Sequence, residues 1–90
     1  MKLREMYKSP RYYSVCKCDR TEGPVLYVLA GGILMYPIVV ELLPDEVAEF
    51  ESTGNLDNLA YKVCRHESQF ADRILRPSTP DETIDFVEAL

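Results

Sequence analysis

The sequence predicts a single α+β domain over residues 1–90. We expect a three-stranded antiparallel sheet from the N-terminal half, packed by three to four short helices from the C-terminal half. Strand-forming residues are concentrated before residue 43 and helical periodicities follow it, and such segregation favours α+β over alternating α/β. A length of 90 residues suits one domain. A composition of 47% hydrophobic and 28% charged residues is typical of a globular chain.

The first strand is predicted over residues 11–19, which are rich in aromatic and β-favouring residues. Alternation would place Tyr13 and Val15 on one face and Cys16 and Cys18 on the other. Residues 2–8 are ambiguous, because Leu3, Met6 and Tyr7 have the i, i+3, i+4 spacing of a short helical turn that ends at Ser9-Pro10.

The second and third strands are predicted over residues 25–30 and 33–42, with Gly31-Gly32 supplying the positive φ angles of a hairpin turn. Pro37 complicates the pairing, because proline cannot donate a hydrogen bond to a neighbouring strand. A two-residue loop would place it opposite Leu26 at a hydrogen-bonded site. We therefore favour a four-residue loop, or an edge position for Pro37; a glycine bulge within one bent strand is a third alternative.

Both faces of the second and third strands are apolar, whereas a half-solvated antiparallel strand would carry polar residues on one face. Three short helices would cover one face, and covering the second would strain a chain of this size. We therefore expect self-association, most simply as a homodimer, through the uncovered face or an edge strand. The candidate interface residues are Tyr27, Leu29, Ile33, Met35, Tyr36 and Val39.

The first clear helix is predicted to begin at Pro44, which suits the first helical position, and to end at Gly54. A second helix has apolar residues at helical spacing from Leu56 to Cys64. It should loosen near residues 66–68 and continue briefly before Pro77. Residues 79–82, Thr-Pro-Asp-Glu, match a capping box and predict a last helix with Ile84 and Val87 inward.

Charge disfavours two classes of partner. The net charge is −5, with +4 on residues 1–20 and −9 on residues 21–90. An acidic body disfavours nucleic acid and anionic membranes, and the basic N-terminal segment is expected to lie on that body. No apolar run approaches the roughly 20 residues of a membrane span. An odd count of three cysteines, without an apolar leader, predicts a reducing, cytoplasmic setting.

The weak metal candidates are Cys16, Cys18, Cys64 and His66. Cys-x-Cys on a strand shares a face, but zinc sites more often use longer knuckle spacings. Cys64 and His66 lie on a predicted helix, where residues two apart diverge by about 200°. The same geometry opposes a Cys-His nucleophile and base. We favour buried apolar thiols with a surface histidine, and predict neither a metal nor a cofactor.

No catalytic constellation emerges from the remaining residues. The acidic residues of the helices suit helix starts and solvated faces, and Gly31-Gly32 lacks the pattern of a phosphate loop. Six tyrosines favour a core or protein interface. The leading hypothesis is a non-enzymatic interaction module that self-associates. Two alternatives stay open: a small acidic inhibitor that binds a basic enzyme, and a metal- or ligand-binding protein or enzyme that uses the Cys and His residues.

Overall fold

The computed structural model describes residues 1–90 and confirms a mixture of helix and sheet. Five strands and two α-helices occur, and a 3-10 turn over Glu67–Phe70 follows the second helix. The element bounds are β1 Lys2–Ser9, β2 Tyr13–Cys18, β3 Val25–Ala30, β4 Tyr36–Glu41, α1 Pro44–Thr53, α2 Asp57–Arg65 and β5 Asp85–Phe86.

The sheet is a curled antiparallel meander with one parallel strand added at its edge. Its strand order is β4-β3-β2-β1-β5, and β5 pairs parallel to β1. The prediction of three strands is therefore wrong in two places, because residues 2–9 and 85–86 are also strands. A β-bulge explains the first error. The register between β1 and β2 shifts between Glu5 and Tyr7, so Met6 is the extra residue.

The two predicted helices at Pro44 and after Leu56 are confirmed. The Glu46 carboxylate accepts a hydrogen bond from the Leu43 backbone N–H at 2.8 Å and steadies the start of α1. Gly54 follows α1 at φ 81°, the left-handed conformation that glycine tolerates best. The predicted last helix is wrong, because residues 79–82 form only a turn, closed by the bond from the Glu82 N–H to Thr79 O.

The principal core lies between one face of the sheet and the helices. It contains 13 buried residues, among them Val15, Leu26 and Val40 from the strands and Leu56 and Val63 from the α2 region. Tyr7 packs against this cluster with its ring 5.4 Å from that of Phe50. The amphipathic pattern of α2 is therefore satisfied by this face, which we call the helix face.

The opposite face of the sheet is covered by the chain itself. Five buried residues form a second cluster there, namely Leu3, Cys16, Cys18, Val25 and Val39, against which Leu75 and Ile84 pack. Residues 73–87, which we call the strap, cross this face in extended and turn conformations. The expected uncovered sheet face does not exist in this structure, because the segment predicted to be helical covers it.

The hairpin between β3 and β4 differs in register from the favoured prediction. Leu29 pairs with Pro37 and Ala30 with Tyr36, so the loop has five residues, Gly31 to Met35. β4 is an edge strand, as one alternative required for Pro37. Next to Pro37 this edge is joined by the strap, since the Leu75 N–H donates to Val39 O at 2.8 Å. β4 therefore has few free backbone groups with which a strand of another chain could pair.

Candidate functional site

Two tight connections meet at one end of the sheet. Tyr13 pairs with Val28, and the Leu29 N–H donates to Tyr12 O at 3.0 Å, so the β1–β2 turn lies beside the end of β3. The β3–β4 loop begins at that same end. We call this surface the hairpin end; it comprises residues 10–12, residues 31–36 and the adjoining side of α2 at Tyr61 and Cys64.

The apex of the hairpin end is apolar and exposed to solvent. Ile33 is 100% exposed, Leu34 is 83% exposed and Met35 is 47% exposed. Single exposed aliphatic residues are normal on protein surfaces, but consecutive ones at a loop tip mark a site of interaction. Nothing in the chain packs on Ile33.

The glycines and Tyr36 fix the shape of this loop. Gly31 and Gly32 have φ angles of 94° and 64°, which other residues rarely adopt. A Cβ on Gly31 would lie 2.6 Å from the Tyr36 ring, so the ring sits directly on the glycine backbone. The Tyr36 hydroxyl donates to Glu67 Oε1 at 3.0 Å, which anchors the loop to the end of α2 and raises the pKa of the phenol.

Tyr12 adopts a strained backbone conformation and displays its ring to solvent. Its φ is 66°, and it is the only non-glycine residue with a positive φ. That conformation costs about 1–2 kcal/mol for an ordinary L-residue. The side chain is 66% exposed, so the strain is not offset by burial of the ring. Tyr12 is the last residue of a three-residue loop between β1 and β2, a hairpin type in which the third residue is commonly left-handed. The turn therefore holds the exposed ring in a defined position.

A groove of about 410 Å³ opens between the β1–β2 turn and α2. Seven of its ten lining residues are hydrophobic. Cys64 lies on its wall, with Sγ 3.9 Å from Leu29 O, and partial burial raises the pKa of its thiol. Its lining residues include Pro10, Tyr12, Tyr13, Leu29, Asp57, Tyr61 and Cys64.

Tyr13 gives the groove a rigid floor. Its hydroxyl donates to Asp57 Oδ1 at 2.6 Å and accepts the Leu56 backbone N–H at 2.9 Å, which ties β2 to the start of α2. Burial and the hydrogen bond to Asp57 raise the pKa of Tyr13 to about 12, so the phenol stays a donor at neutral pH. The groove is therefore built on a fixed junction between sheet and helix.

The rim of the hairpin end carries charges of both signs. Arg11 lies 3.6 Å from Asp57, and the Arg65 guanidinium lies 5.0 Å from the centre of the Tyr61 ring. Glu67 adds a second carboxylate beside Tyr36. Two cations and two anions thus surround the apolar surface.

The predicted interface residues divide into two groups. Ile33, Met35 and Tyr36 lie at the hairpin end, and half-buried Leu29 lines the groove. Half-buried Tyr27 instead packs edge-on against Phe86 of the strap, with ring centroids 5.1 Å apart. Val39 is 2% exposed beneath the strap, so this chain does not present it to a partner.

Sequence reasoning missed three residues of the hairpin end. In the predicted strand over residues 33–42, alternation places Leu34 on the face opposite Ile33, whereas in the observed loop both side chains reach solvent. Tyr12 carries no periodic signal of exposure, whereas the helical period places Tyr61 outside the apolar stripe of α2 and could have indicated its exposure. The available clue for Tyr12 was its place directly after Pro10-Arg11, where a turn is expected.

The four candidate metal ligands do not come together. Cys16 and Cys18 are buried on the strap side of the sheet, and Cys64 lies on α2 at the other face. No group of three or more His, Cys, Asp or Glu side chains has the arrangement of a metal site. Burial raises the pKa of Cys16 to about 12, which keeps that thiol protonated and weakly nucleophilic.

Comparison with family models, curated proteins and solved structures finds no match to this chain. Neither helix is long and apolar enough to cross a bilayer. The function must therefore be argued from the surface itself.

Proposed function

We propose that this chain is a non-enzymatic protein-interaction module that self-associates through the hairpin end. The observation that carries the proposal is the complete exposure of Ile33 beside the nearly complete exposure of Leu34. Removing such side chains from water contributes about 25 cal/mol per Å² of apolar area. A loop that projects them into solvent is stabilised by contact with another surface.

The size of the surface supports a stable dimer. Six large side chains at the hairpin end are exposed by about half or more, namely Tyr12, Ile33, Leu34, Met35, Tyr36 and Tyr61. Three of the six are tyrosines, and an aromatic side chain buries about 150–250 Å² when it is fully enclosed. Because the tyrosines are about half exposed, the six side chains together supply a large part, and not all, of the roughly 800 Å² per partner of a standard specific interface.

The charges of the rim favour a second copy over other partners. In a two-fold dimer each patch faces itself, so a patch of one sign would repel its own copy. The balanced rim, in which Arg11 and Arg65 accompany Asp57 and Glu67, avoids this repulsion. Nucleic acid or an anionic membrane would instead favour a cationic patch, and the net charge of −5 opposes both.

The cysteines support a reducing, cytoplasmic location for this module. All three are free thiols, and Cys64 is exposed. An exposed free thiol is stable in a reducing compartment and prone to oxidation outside it.

The test is sedimentation velocity of wild type and Leu34→Glu from about 1 to 100 µM, a range in which dimers of micromolar Kd dissociate. We expect a wild-type dimer whose Kd the variant raises at least tenfold, because association would bury two unpaired carboxylates. Leu43→Glu is the matched control, since Leu43 is 48% exposed at the start of α1, away from this surface. A wild-type monomer at 100 µM overturns the proposal, as does wild-type binding to anionic vesicles that Leu34→Glu abolishes.

A second variant separates association from folding. Tyr12→Asn removes an exposed ring and places a residue that tolerates the left-handed conformation. We expect the monomer to gain about 0.5–1 kcal/mol of stability while the dimer weakens. A variant that is more stable and equally dimeric would count against a role for Tyr12 in the interface.

The acidic body supports a second candidate, an inhibitor of a basic protein. Only three of the fifteen carboxylates, Glu46, Asp57 and Glu82, form ion pairs. Asp45, Glu49 and Glu51 of α1 lie outside them. Salt-sensitive capture of one basic enzyme, lost in D45N/E49Q/E51Q and kept in Leu34→Glu, would favour this candidate over the first.

A further inference from the structure

The hairpin end presents an apolar projection and an apolar groove side by side. The projection is the loop tip at Ile33 and Leu34, and the groove lies between Tyr12 and Tyr61. The loop does not fill the groove of its own chain, because no residue of 31–35 lines it and Ile33 is fully exposed. Each feature therefore lacks its partner within the chain.

The groove has the size and chemistry to accept the loop tip. Its volume of about 410 Å³ lies within the roughly 300–1,000 Å³ of clefts that enclose small ligands, which is ample for one or two aliphatic side chains. Tyr12 and Tyr61 form apolar walls, and the bond from the Tyr13 hydroxyl to Asp57 holds the floor. Tyrosine is one of the residue types that are enriched in the well-packed, desolvated pockets at the centres of protein interfaces.

Symmetry then decides the arrangement. A two-fold dimer is self-complementary, so a projection that enters a groove on the same surface lets the partner do the same in return. If the tip entered a groove elsewhere in a head-to-tail contact, each copy would keep a free tip and a free groove, and the contact would propagate into a ring or a filament. A second groove of about 410 Å³ is also lined by Tyr12, but only four of its nine lining residues are hydrophobic. A groove of about 270 Å³ lies at the opposite end of the sheet near Pro24 and Leu42, and one of about 140 Å³ lies beside the strap at Ile84.

We propose that the dimer forms by reciprocal insertion, in which the Ile33–Leu34 tip of each copy seats in the partner's groove between Tyr12 and Tyr61. This inference rests on the self-association proposed above and names its geometry. Both apolar features are then buried in one closed assembly, and Arg11 and Asp57 remain at its rim to fix the register.

A disulfide trap tests the insertion directly, because Cys64 lines the groove and is exposed. Insertion brings residue 33 of one copy next to Cys64 of the other, within the roughly 7 Å between Cα atoms that a disulfide spans. The variant Ile33→Cys is oxidised with oxidised glutathione as the electron acceptor and run on a non-reducing gel. Cys16 and Cys18 are 0% and 6% exposed and should stay reduced.

The expected result is a covalent dimer in Ile33→Cys, identified by mass spectrometry as a peptide linking residues 33 and 64. The dimer should be lost in I33C/C64S, and wild type and Leu43→Cys should form none. A dimer that persists in I33C/C64S would show that the two tips meet each other, and this would overturn insertion. Filaments in sedimentation would indicate the distant groove and overturn it as well.

A measurement on the wild-type protein tests the reciprocal insertion without the Ile33→Cys substitution. The rate at which N-ethylmaleimide labels Cys64 should fall as wild-type protein is concentrated through its dimer Kd. In Leu34→Glu the rate should stay constant over the same range. A sedimenting wild-type dimer whose Cys64 stays fully reactive would refute insertion and leave self-association standing, whereas a monomer at all concentrations would remove both.

Discussion

The two faces of the sheet are covered in different ways, although both faces of β3 and β4 are apolar in sequence. The core on the helix face has 13 buried residues, of which five come from Leu56, the amphipathic α2 and the 3-10 turn that cover it. On the other face, five buried residues lie under the strap, whose only strand is the two-residue β5. The strap is held by a few backbone bonds, such as that from the Val87 N–H to Leu3 O at 2.8 Å.

This difference shows that an apolar sheet face predicts that another segment covers it. The apolar face does not predict whether that segment is a helix, an extended strap or a partner chain. A short chain buries a limited fraction of its surface, and an extended segment of about 15 residues covers more sheet per residue than a helix of that length. The strap therefore removes the need for a partner at the sheet face. It leaves the hairpin end as the apolar surface that the fold does not account for.

The largest expected effect compares one leucine on each face. Leu26 and Leu3 are both 0% exposed, Leu26 on the helix face and Leu3 under the strap. We expect Leu26→Ala to cost about 4 kcal/mol of unfolding free energy and Leu3→Ala about 2.5 kcal/mol, because a strap can collapse onto a cavity more readily than a packed helix. Urea unfolding in the Leu34→Glu background measures both without a contribution from association.

Equal losses of unfolding free energy in Leu26→Ala and Leu3→Ala would contradict the expected difference between the two faces and show that the strap packs as rigidly as α2. A larger cost for Leu3→Ala would reverse it and place the principal core under the strap.

The parts of the fold that local pattern determines were predictable. The β3 bounds, Val25–Ala30, are as expected, and α1 begins at Pro44 and ends before Gly54. These elements have a turn or cap residue at each end, Gly23-Pro24 and Gly31-Gly32 for β3 and Pro44 and Gly54 for α1. The predicted loosening near His66 is confirmed too, since α2 ends at Arg65.

The errors lie where tertiary contacts override local pattern. In β1 the bulge at Met6 sends Leu3 and Tyr7 to opposite faces, and this produces a helix-like spacing in a strand. At Thr79–Glu82 the capping-box glutamate bonds the Ser78 N–H and Arg20 instead of starting a helix. No sequence rule predicts that Glu82 bonds these two groups.

The segment of the chain that contributes to the candidate site was predictable, but the way in which its side chains form one exposed surface was not. Ile33, Met35 and Tyr36 were expected to contact a partner as strand residues, whereas the structure places Ile33 and Met35 in a five-residue loop and Tyr36 at the first position of β4. The strained Tyr12 and the groove beside it depend on how β1, β3 and α2 meet. That junction is tertiary, so periodicity carries no information about it.

A smaller effect is expected at the aromatic contact that holds the strap. Phe86 is 49% exposed and packs edge-on against Tyr27, so Phe86→Ala should cost about 1 kcal/mol. Hydrogen exchange should locate the loss, because the Leu75 and Val87 amides should exchange faster while β2 and β3 amides keep their protection. Leu43→Ala, at 48% exposure at the start of α1, is the control. Uniform loss of protection would mean that the strap and the sheet open as one unit.

The smallest effect is electrostatic and concerns Glu82, which fastens the turn of the strap. Its carboxylate accepts the Ser78 N–H at 2.7 Å and lies 3.2 Å from the α-ammonium of Met1 and 3.3 Å from Arg20. The bond from Ser78, followed by the α-ammonium, holds the pKa of Glu82 below its ordinary value of 4.5. The unfolded chain therefore binds the proton first as pH falls, and the stabilisation from Glu82 is present above pH 4.5 and lost as pH drops through the lowered pKa.

Glu82→Gln should accordingly lower the urea midpoint at pH 7, and its difference from wild type should shrink as the pH falls below 4.5. Glu88→Gln is the control, since the Glu88 carboxylate forms none of the chain's ion pairs or side-chain hydrogen bonds. A Glu82→Gln deficit that stays constant with pH would assign the role of this residue to shape and not to charge. The strap would then be held by packing, as the elements on the helix face are. The two faces would differ only in how much apolar surface each one buries.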